Sequence, residues 1–468
     1  MKKLSELYSG YPDIIVNDIK TNSKEVKDGD MFVCIKGVNA DRHDYVNEAI
    51  NNGASCIVAS KKINVNVPVI YVNDTNSELI NICKKFYDFN PDDIKIIGVT
   101  GTNGKTTVAS IIQDLMGNDV CGYLGTNGII CNSFNEKIRN TTPDADRLYK
   151  YFKRFRDSGC EYISMETSSE AFLRGRLNGL EFDVGILTNI SSDHLNIHKT
   201  IENYVECKKK LFKQVKSNGF CILNKDDKYF DEIKEICNGK VLTYGKKESD
   251  LRIIDVYESI NETKIVLRYK NKDYNVVSPL LGEFNVYNLC AGILCLLSFN
   301  YDIEEIIKKI SNIRIPHGRM EFLPFTKEYS IILDYAHTPD AFIKIYDVLN
   351  KIKKGRIITV TGSAGGREHE KRPLMGQIVL DNSDYCIFTM DDPRREAVNT
   401  IIDDLVSTSN KTNYERIINR ELAIKKALDM ARKNDIVLIA GKGDDEYMAI
   451  NDEYIPYSDR EVIKKYFN

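Results

Sequence analysis

The 468-residue sequence has no apolar run approaching the roughly 20 residues that cross a bilayer; its longest, over 289–299, falls well short. Its opening stretch, MKKLSELYSGYPDII, starts basic but reaches polar residues before the apolar segment of a secretory leader can form. These absences predict a soluble, cytoplasmic protein without membrane insertion. Its 12 cysteines are scattered from Cys34 to Cys386 with no C-x-x-C pair, and no histidine cluster has zinc spacing. The thiols are therefore expected to be reduced. Excess positive charge is missing too: 65 Lys and Arg face 68 Asp and Glu, a net charge of -3. A chain without a basic field cannot gather nucleic acid by counterion release. Internal repeats and low-complexity segments are also lacking.

What is present is an ordinary globular mixture, 42% hydrophobic and 28% charged. Single cores stop growing at about 250–300 residues, so this length implies several domains. Short apolar runs at 31–35 and 56–59 flank a polar, helix-compatible stretch over 44–52, a small α/β unit that continues into a strand near 68–72 and a helix near 77–87. The turn-rich Asn90-Pro91-Asp92-Asp93 ends it. Strands are expected over 94–99, 162–165, 184–187 and 220–223 between helical stretches, which predicts a mostly parallel sheet with right-handed crossovers. An antiparallel meander is expected over 251–277. After the turn around Pro316, strands over 331–333, 357–361, 385–389 and 436–440 alternate with helices as a third, doubly wound unit. The expected class is α/β in three domains, with boundaries at 1–90, 91–314 and 315–468.

The sharpest motif is the segment 98–107, GVTGTNGKTT, between a predicted strand and a predicted helix. Backbone N–H groups at a helix start concentrate positive potential, glycines let phosphates approach, Lys105 adds a point charge, and the Thr106 hydroxyl suits Mg²⁺. The common phosphate loop has its first glycine where this chain has Val99, so the match is to a variant with Gly101 inside the loop. Glu166 follows another predicted strand, where a carboxylate at the carboxyl edge of a parallel sheet can serve a Mg²⁺ ion. The segment 188–198 ends a third strand with Asp193, His194 and His198, which could bind metal or orient a substrate. Lys208-Lys209-Lys210 reads as a solvated basic face.

Taken in order, TGTNGKTT, Asn140-Thr141-Thr142-Pro143-Asp144, METSS over 165–169 and TNISSDHL over 188–195 resemble the Mur ligase family, which builds the peptide stem of bacterial peptidoglycan. The likeness extends through LGEFNVYN over 281–288, Gly318-Arg319-Met320-Glu321, DYAHTPD over 334–340, KRPLM over 371–375 and Asp391-Asp392-Pro393-Arg394. It covers essentially the whole chain, and within the family it is similar to the MurE type, which adds the third stem residue.

The resemblance implies an N-terminal uridine-nucleotide domain, a central ATPase domain and a C-terminal Rossmann-like domain that receives the amino acid. It implies a monomer that activates a carboxylate of a UDP-N-acetylmuramoyl dipeptide with ATP and passes the acyl group to a diamino acid. Carboxylate attacking phosphate is anion meeting anion, so two Mg²⁺ ions and a lysine are expected to screen the repulsion. Lys105, Glu166, His194 and Lys208 are the implied catalytic residues. Metal ligands would be Thr106, Glu166, His194 and a CO₂-derived carbamate on Lys208, leaving Lys209 and Lys210 solvated. ATP would meet Gly101, Thr102, Asn103, Gly104, Lys105, Thr106 and Thr107, with Asn288, Arg319 and Asp334 on its base and ribose. Ser23, Asn39, Asn140, Thr141, Thr142, Ser168, Arg174 and Arg176 would face the UDP-linked substrate. Around the incoming amino acid would stand Arg367, Asp391, Asp392, Pro393, Arg394, Gly441 and Asp445. Arg394 favours diaminopimelate, whose distal carboxylate a guanidinium can grip with two hydrogen bonds. Asp392, Asp444 and Asp445 stand where the family has an amide, a His and a Glu, and such anions suit the bare ammonium of lysine. Glu170 and Asn196 depart from the family pattern as well. Two rivals share the phosphate loop: a ligase extending folate with glutamate, and a nucleotide-binding homologue that no longer makes amides.

Overall fold

The structure, a computed structural model, describes residues 1–36, 40–138, 140–259, 262–366, 369–451 and 453–468. Three sheets organise it. The first is a four-stranded parallel sheet in the order Ile19–Lys20, Met31–Val33, Cys56–Ala59, Val69–Tyr71, followed by the helix Thr75–Phe86. The second has 11 strands, and the third has six.

At the centre of the large sheet the strand Lys95–Thr100 lies between Tyr162–Glu166 and Phe182–Leu187, all three parallel. Its β-branched sequence, KIIGVT, suits burial on both faces. Register decides what this arrangement delivers. Glu166 pairs with Val99, and Leu187 pairs with Thr100, so the carboxyl ends of three neighbouring strands stop at one level. Loops leaving that edge carry the phosphate loop, residues 167–168 and residues 188–194 to one place, the crevice where open α/β sheets bind ligands. Behind it the helix Lys105–Met116 packs on the largely buried helix Glu283–Ser298, apolar from Leu289 to Leu297. The expected meander is present as Leu251–Glu258, Thr263–Tyr269 and Lys272–Ser278, antiparallel to one another and joined in parallel to the strand Lys240–Gly245 at the sheet's far edge.

In the third sheet Ser330–Asp334, Ile436–Ala440, Ile357–Thr361 and Tyr385–Phe388 run parallel. Asp334 pairs with Ala440, so the loops 335–338 and 441–446 leave side by side. The first sheet shares an apolar core with the second, into which Ile19, Phe86, Tyr87, Phe152 and Phe155 are buried together. The third meets the second through Leu281 and Phe284, which join its core, and through polar links described below.

Several strands were not anticipated: Cys121–Gly125, Gly128–Cys131 and Phe134–Glu136 extend the large sheet, and Tyr447–Ile450 pairs with Glu453–Pro456 in a hairpin. All are three to five residues long; the first three carry Gly or Asn and the last two flank a turn at Asn451, so turn signals mask their alternation. Among the described residues no helix is long and apolar enough to cross a membrane. The 12 cysteines are free thiols, 11 of them buried.

Candidate active site

A cavity of about 350 Å³ opens between the carboxyl edges of the second and third sheets. The phosphate loop forms its floor. Gly101 and Gly104 take φ values of 151° and 87°, and the second is left-handed backbone that a side chain resists. A Cβ on Gly101 would fall on Thr188 Oγ1, and one on Gly104 on Asn288 Oδ1. Lys105 Nζ folds back to donate to the Gly101 and Thr102 carbonyls, each at 2.9 Å. Burial pulls its ammonium below the ordinary lysine range, opposed by Glu166 and Asp193.

Glu166 is 1% exposed, and its carboxylate accepts from the Tyr123 hydroxyl at 2.6 Å and the Thr126 N–H at 2.8 Å. Next to it Thr142 Oγ1 donates to the Glu166 carbonyl at 2.9 Å and accepts the Ser168 N–H at 3.0 Å. That pair ties the threonine segment 140–142 to the end of the strand. Arg176 donates to the Thr142 carbonyl at 3.1 Å.

His194 sits in left-handed backbone, φ 55°, with Nε2 3.5 Å from the Asp193 carboxylate. Burial would raise Asp193, but the charges of His194, His337 and Lys371 outweigh it and bring the carboxyl to about 2. Lys208 is 1% exposed; Nζ donates to the Gly101 carbonyl at 2.7 Å and lies 4.3 Å from the centre of the Tyr204 ring. Burial, reinforced by Lys105, drives its pKa well below the ordinary lysine value. The direction of that shift favours the neutral amine over the ammonium. Lys209 corrects the expectation of a solvated face, for it is 6% exposed and paired with Glu206 and Glu232. Lys210 is exposed, its amine donating to the Phe172 carbonyl at 3.3 Å.

The roof comes from the third sheet. Arg319 reaches across to Thr106 Oγ1 at 3.3 Å and stacks over Tyr335, 4.7 Å from the ring centre. Asp334 is buried, which raises its pKa, and it accepts the Met320 and Ala336 N–H groups, each at 2.7 Å. His337 donates Nδ1–H to the Tyr335 carbonyl at 2.8 Å, and burial, with Lys371, lowers its pKa to about 4. Asp340 accepts from Asn103 Nδ2 at 3.0 Å, so the third sheet's first helix touches the phosphate loop itself.

The cavity thus gathers Thr102 through Thr107, Asn140 through Thr142, Glu166, Ser168, Arg176, His194, Lys208, Asn288, Arg319 and Asp334. Gly101 underlies it through its carbonyl. Arg174 stands outside, paired with Glu170 at 2.7 Å. Ser23 lies in the first sheet's domain, its hydroxyl donating to Glu48 at 2.6 Å. Asn39 and Arg367 are outside the described residues. Sequence reasoning left Asn285 and Asp340 without roles. Asn285 holds Asn288 by its Oδ1 at 3.0 Å, and its spacing of three on one helix was the available signal.

Beside the roof, Asp391, Asp392, Pro393 and Arg394 meet Gly441 and Asp445. Asp392 and Arg394 adopt left-handed backbone, φ 45° and 53°. A Cβ on Gly441 would fall on Asp391 Oδ2. Burial raises Asp391 to about 6, against the pull of Arg420 and Lys442. Gly443 packs on Tyr335, which joins this cluster to the cavity.

For a metal, the oxygens of Glu166 and Thr106 are hard donors of the kind Mg²⁺ takes. Elsewhere among the described residues His369, Glu396 and Asp404 come close enough to share an ion. There, however, the buried Arg372 already occupies both carboxylates, at 2.6 and 2.8 Å.

Comparison with known proteins gives three family profiles in order: the Mur ligase family catalytic domain over residues 16–91, the Mur ligase middle domain over 99–296, and the Mur ligase glutamate ligase domain over 318–443. A UDP-N-acetylmuramoyl-L-alanyl-D-glutamate–2,6-diaminopimelate ligase of Fusobacterium nucleatum is 38% identical over 96% of this chain and 93% of its own length. The enzyme of that name from Clostridium perfringens is 37% identical over 98% and 96%. A solved structure of a ligase with the same name superposes with TM-score 0.68 at 28% identity, covering 100% of this chain and 99% of that one. A folylpolyglutamate synthase of Mycobacterium tuberculosis, solved with ADP and AMPPCP, shares the fold, with TM-score 0.65 and 15% identity over 78% of this chain and 92% of that one.

Proposed function

The chain belongs to the Mur ligase family, and on that premise we propose that it is an ATP-dependent amide ligase joining a diamino acid to UDP-N-acetylmuramoyl-L-alanyl-D-glutamate. Meso-diaminopimelate is preferred over L-lysine. The observation that carries this reading is the convergence of Lys105, Glu166 and the buried amine of Lys208 at one sheet edge, beneath Arg319 and Asp334. In this reading residues 1–90 hold the uridine nucleotide, 91–314 the ATP and 315–468 the amino acid.

The chemistry then runs in two balanced steps. A carboxylate oxygen of the substrate attacks the γ-phosphorus and ADP leaves; the amine then attacks the acyl carbon, loses a proton, and phosphate leaves. The loop N–H groups and Lys105 hold the phosphates. Lys105 is desolvated, so its charge acts with little screening, and Arg319 would complete the clamp from the facing domain. Asn288 and Asp334 line the part of the cavity suited to base and ribose. Thr141, Thr142, Ser168 and Arg176 face the carboxylate donor, and Ser23, Asn39 and Arg174 serve its outer parts.

Thr106, Glu166, His194 and a carbamate on Lys208 would hold two Mg²⁺ ions. Bound there, the ions would supply the positive charge that screens anion from anion. The structure's support is chemical: a permanent ammonium at Lys208 would repel metal, whereas burial favours the neutral amine, which can bond the carbon of CO₂ and release a proton, becoming an anion.

The amino acid would enter beside Tyr335, between Arg394 and Gly441. The folate-extending alternative lacks support beyond shared fold, and the segments 140–144 and 391–394 argue against it.

The test is ADP release with the UDP-muramoyl dipeptide and a panel of amino acids. ADP is expected only when nucleotide, dipeptide and diamino acid are all present, with a product heavier by the diamino acid less one water. ADP release independent of the dipeptide contradicts the reading.

A further inference from the structure

Asp392 and Asp445, read from the sequence alone, add negative charge beside the incoming amino acid and so argue for lysine. The structure changes that argument by placing one buried cation between them. Lys442 is fully buried. Its Nζ donates to Asp392 Oδ1 at 2.7 Å and to Asp445 Oδ2 at 3.2 Å, and it lies 4.8 Å from the centre of the Tyr447 ring. Asp392 Oδ1 also accepts the Ala449 N–H at 2.9 Å, which fixes the acid on the hairpin that follows. The third replacement, Asp444, faces the other way and pairs with Lys137 at 2.7 Å.

We propose that Lys442 is a specificity-determining residue: by engaging Asp392 and Asp445 it withdraws both acids from the incoming amino acid and keeps the pocket from favouring a bare ammonium end over a carboxylate-bearing one. The inference rests on the proposed ligase reading. Lys442 touches neither substrate nor nucleotide in this account; it acts through the two acids.

The physical grounds are three. A carboxylate drawn largely out of water needs a partner to keep its charge, and one ammonium supplies that partner to Asp392 and Asp445, whose side chains are 16% and 17% exposed. Three carboxylates around Lys442, those of Asp391, Asp445 and Asp392, outweigh the burial that opposes its charge, so it stays cationic. The cluster adjoins the nucleotide cavity through Gly443 on Tyr335, which puts its charge where an attacking amine has to stand. Lysine and diaminopimelate differ at the far end by one carboxylate. A pocket with Lys442 in place accepts that carboxylate, whereas one with two unpaired acids repels it and attracts the ammonium.

The experiment compares kcat/KM for meso-diaminopimelate and L-lysine in the wild type, in Lys442→Met and in Lys442→Met/Asp392→Asn. The wild type is expected to favour diaminopimelate. Lys442→Met is expected to lower the diaminopimelate-to-lysine ratio by at least about tenfold, the scale of one charged interaction. Removing Asp392 as well is expected to return most of that loss. A purely structural role would depress both substrates alike and leave the ratio where it was, which overturns the proposal. Should Lys442→Met not fold, Asp392→Asn decides alone: a ratio moved further toward diaminopimelate supports the proposal, and an unmoved ratio overturns it. A wild type that releases ADP with neither amino acid defeats the ligase reading and this inference with it, whereas an active wild type with an unshifted variant defeats the inference only.

Discussion

A lysine with no room for water is a poor cation, and Lys208 is the case in point: its amine rests on the Gly101 carbonyl beside the partly buried Lys105. The proposed carbamate would resolve the conflict by making the side chain anionic. Lys208→Ala is therefore expected to lower amide formation by at least about a hundredfold, comparable to losing one preorganised electrostatic group. High bicarbonate cannot rescue it, whereas a small carboxylic acid restores part of the rate; full activity of the variant removes Lys208 from the metal assignment. A second titratable residue gives a pH signature. Burial would raise Glu321, but His317, Arg460 and the Gly318 N–H outweigh it and hold the carboxyl near 2. The folded value lies below the unfolded one, so this stabilisation is present above about pH 4.3 and is lost as pH falls toward 2. Urea unfolding of Glu321→Gln is expected to show a deficit of about 1–3 kcal/mol at pH 7 that narrows steadily below pH 4. A deficit independent of pH contradicts the assignment. At this scale the sequence was readable wherever chemistry and spacing coincide, as at Lys105, Thr106 and Glu166. It could not show that Lys209 is buried between two glutamates, or that Lys442 sits between Asp392 and Asp445, because one partner of each lies 23 or 50 residues away and no pattern pairs them.

Among elements, the register of three parallel strands carries most of the weight, and the glycines at their ends decide how closely neighbours approach. Gly104 is left-handed, with Asn288 Oδ1 where a Cβ would go. Gly104→Ala must absorb about 1–2 kcal/mol of backbone strain and also displace Asn288, so nucleotide affinity is expected to fall at least about tenfold by titration. Unchanged affinity contradicts the role given to this turn. Strand-loop-helix order around the phosphate loop was legible because β-branched and helix-forming runs are separated by glycine. The hairpins at 121–136 and 447–456 were not, since strands of three to five residues carry too little alternation to be told from turns.

Across the whole molecule, the first two sheets share one apolar core, whereas the third reaches the phosphate loop through Asp340, Asn103 and Arg319. Polar links of that kind are worth about 0.5–1.5 kcal/mol each, and they add to the apolar contact that Leu281 and Phe284 make with the third sheet's core. Asp340→Ala is expected to enlarge the nucleotide-free protein in small-angle scattering, with ATP restoring compactness; an unchanged profile contradicts a latch at Asp340. Three units could be anticipated from the sequence because its turn-rich seams fall between periodic segments, but their mutual placement depends on side-chain contacts that no pattern encodes. In the proposed reaction this assembly lets a substrate carboxylate capture the terminal phosphorus of ATP. Labelling the carboxylate oxygens of the UDP-muramoyl dipeptide with ¹⁸O and analysing the released phosphate tests it most directly. One labelled oxygen in each phosphate is the predicted result, and phosphate free of label would contradict the account.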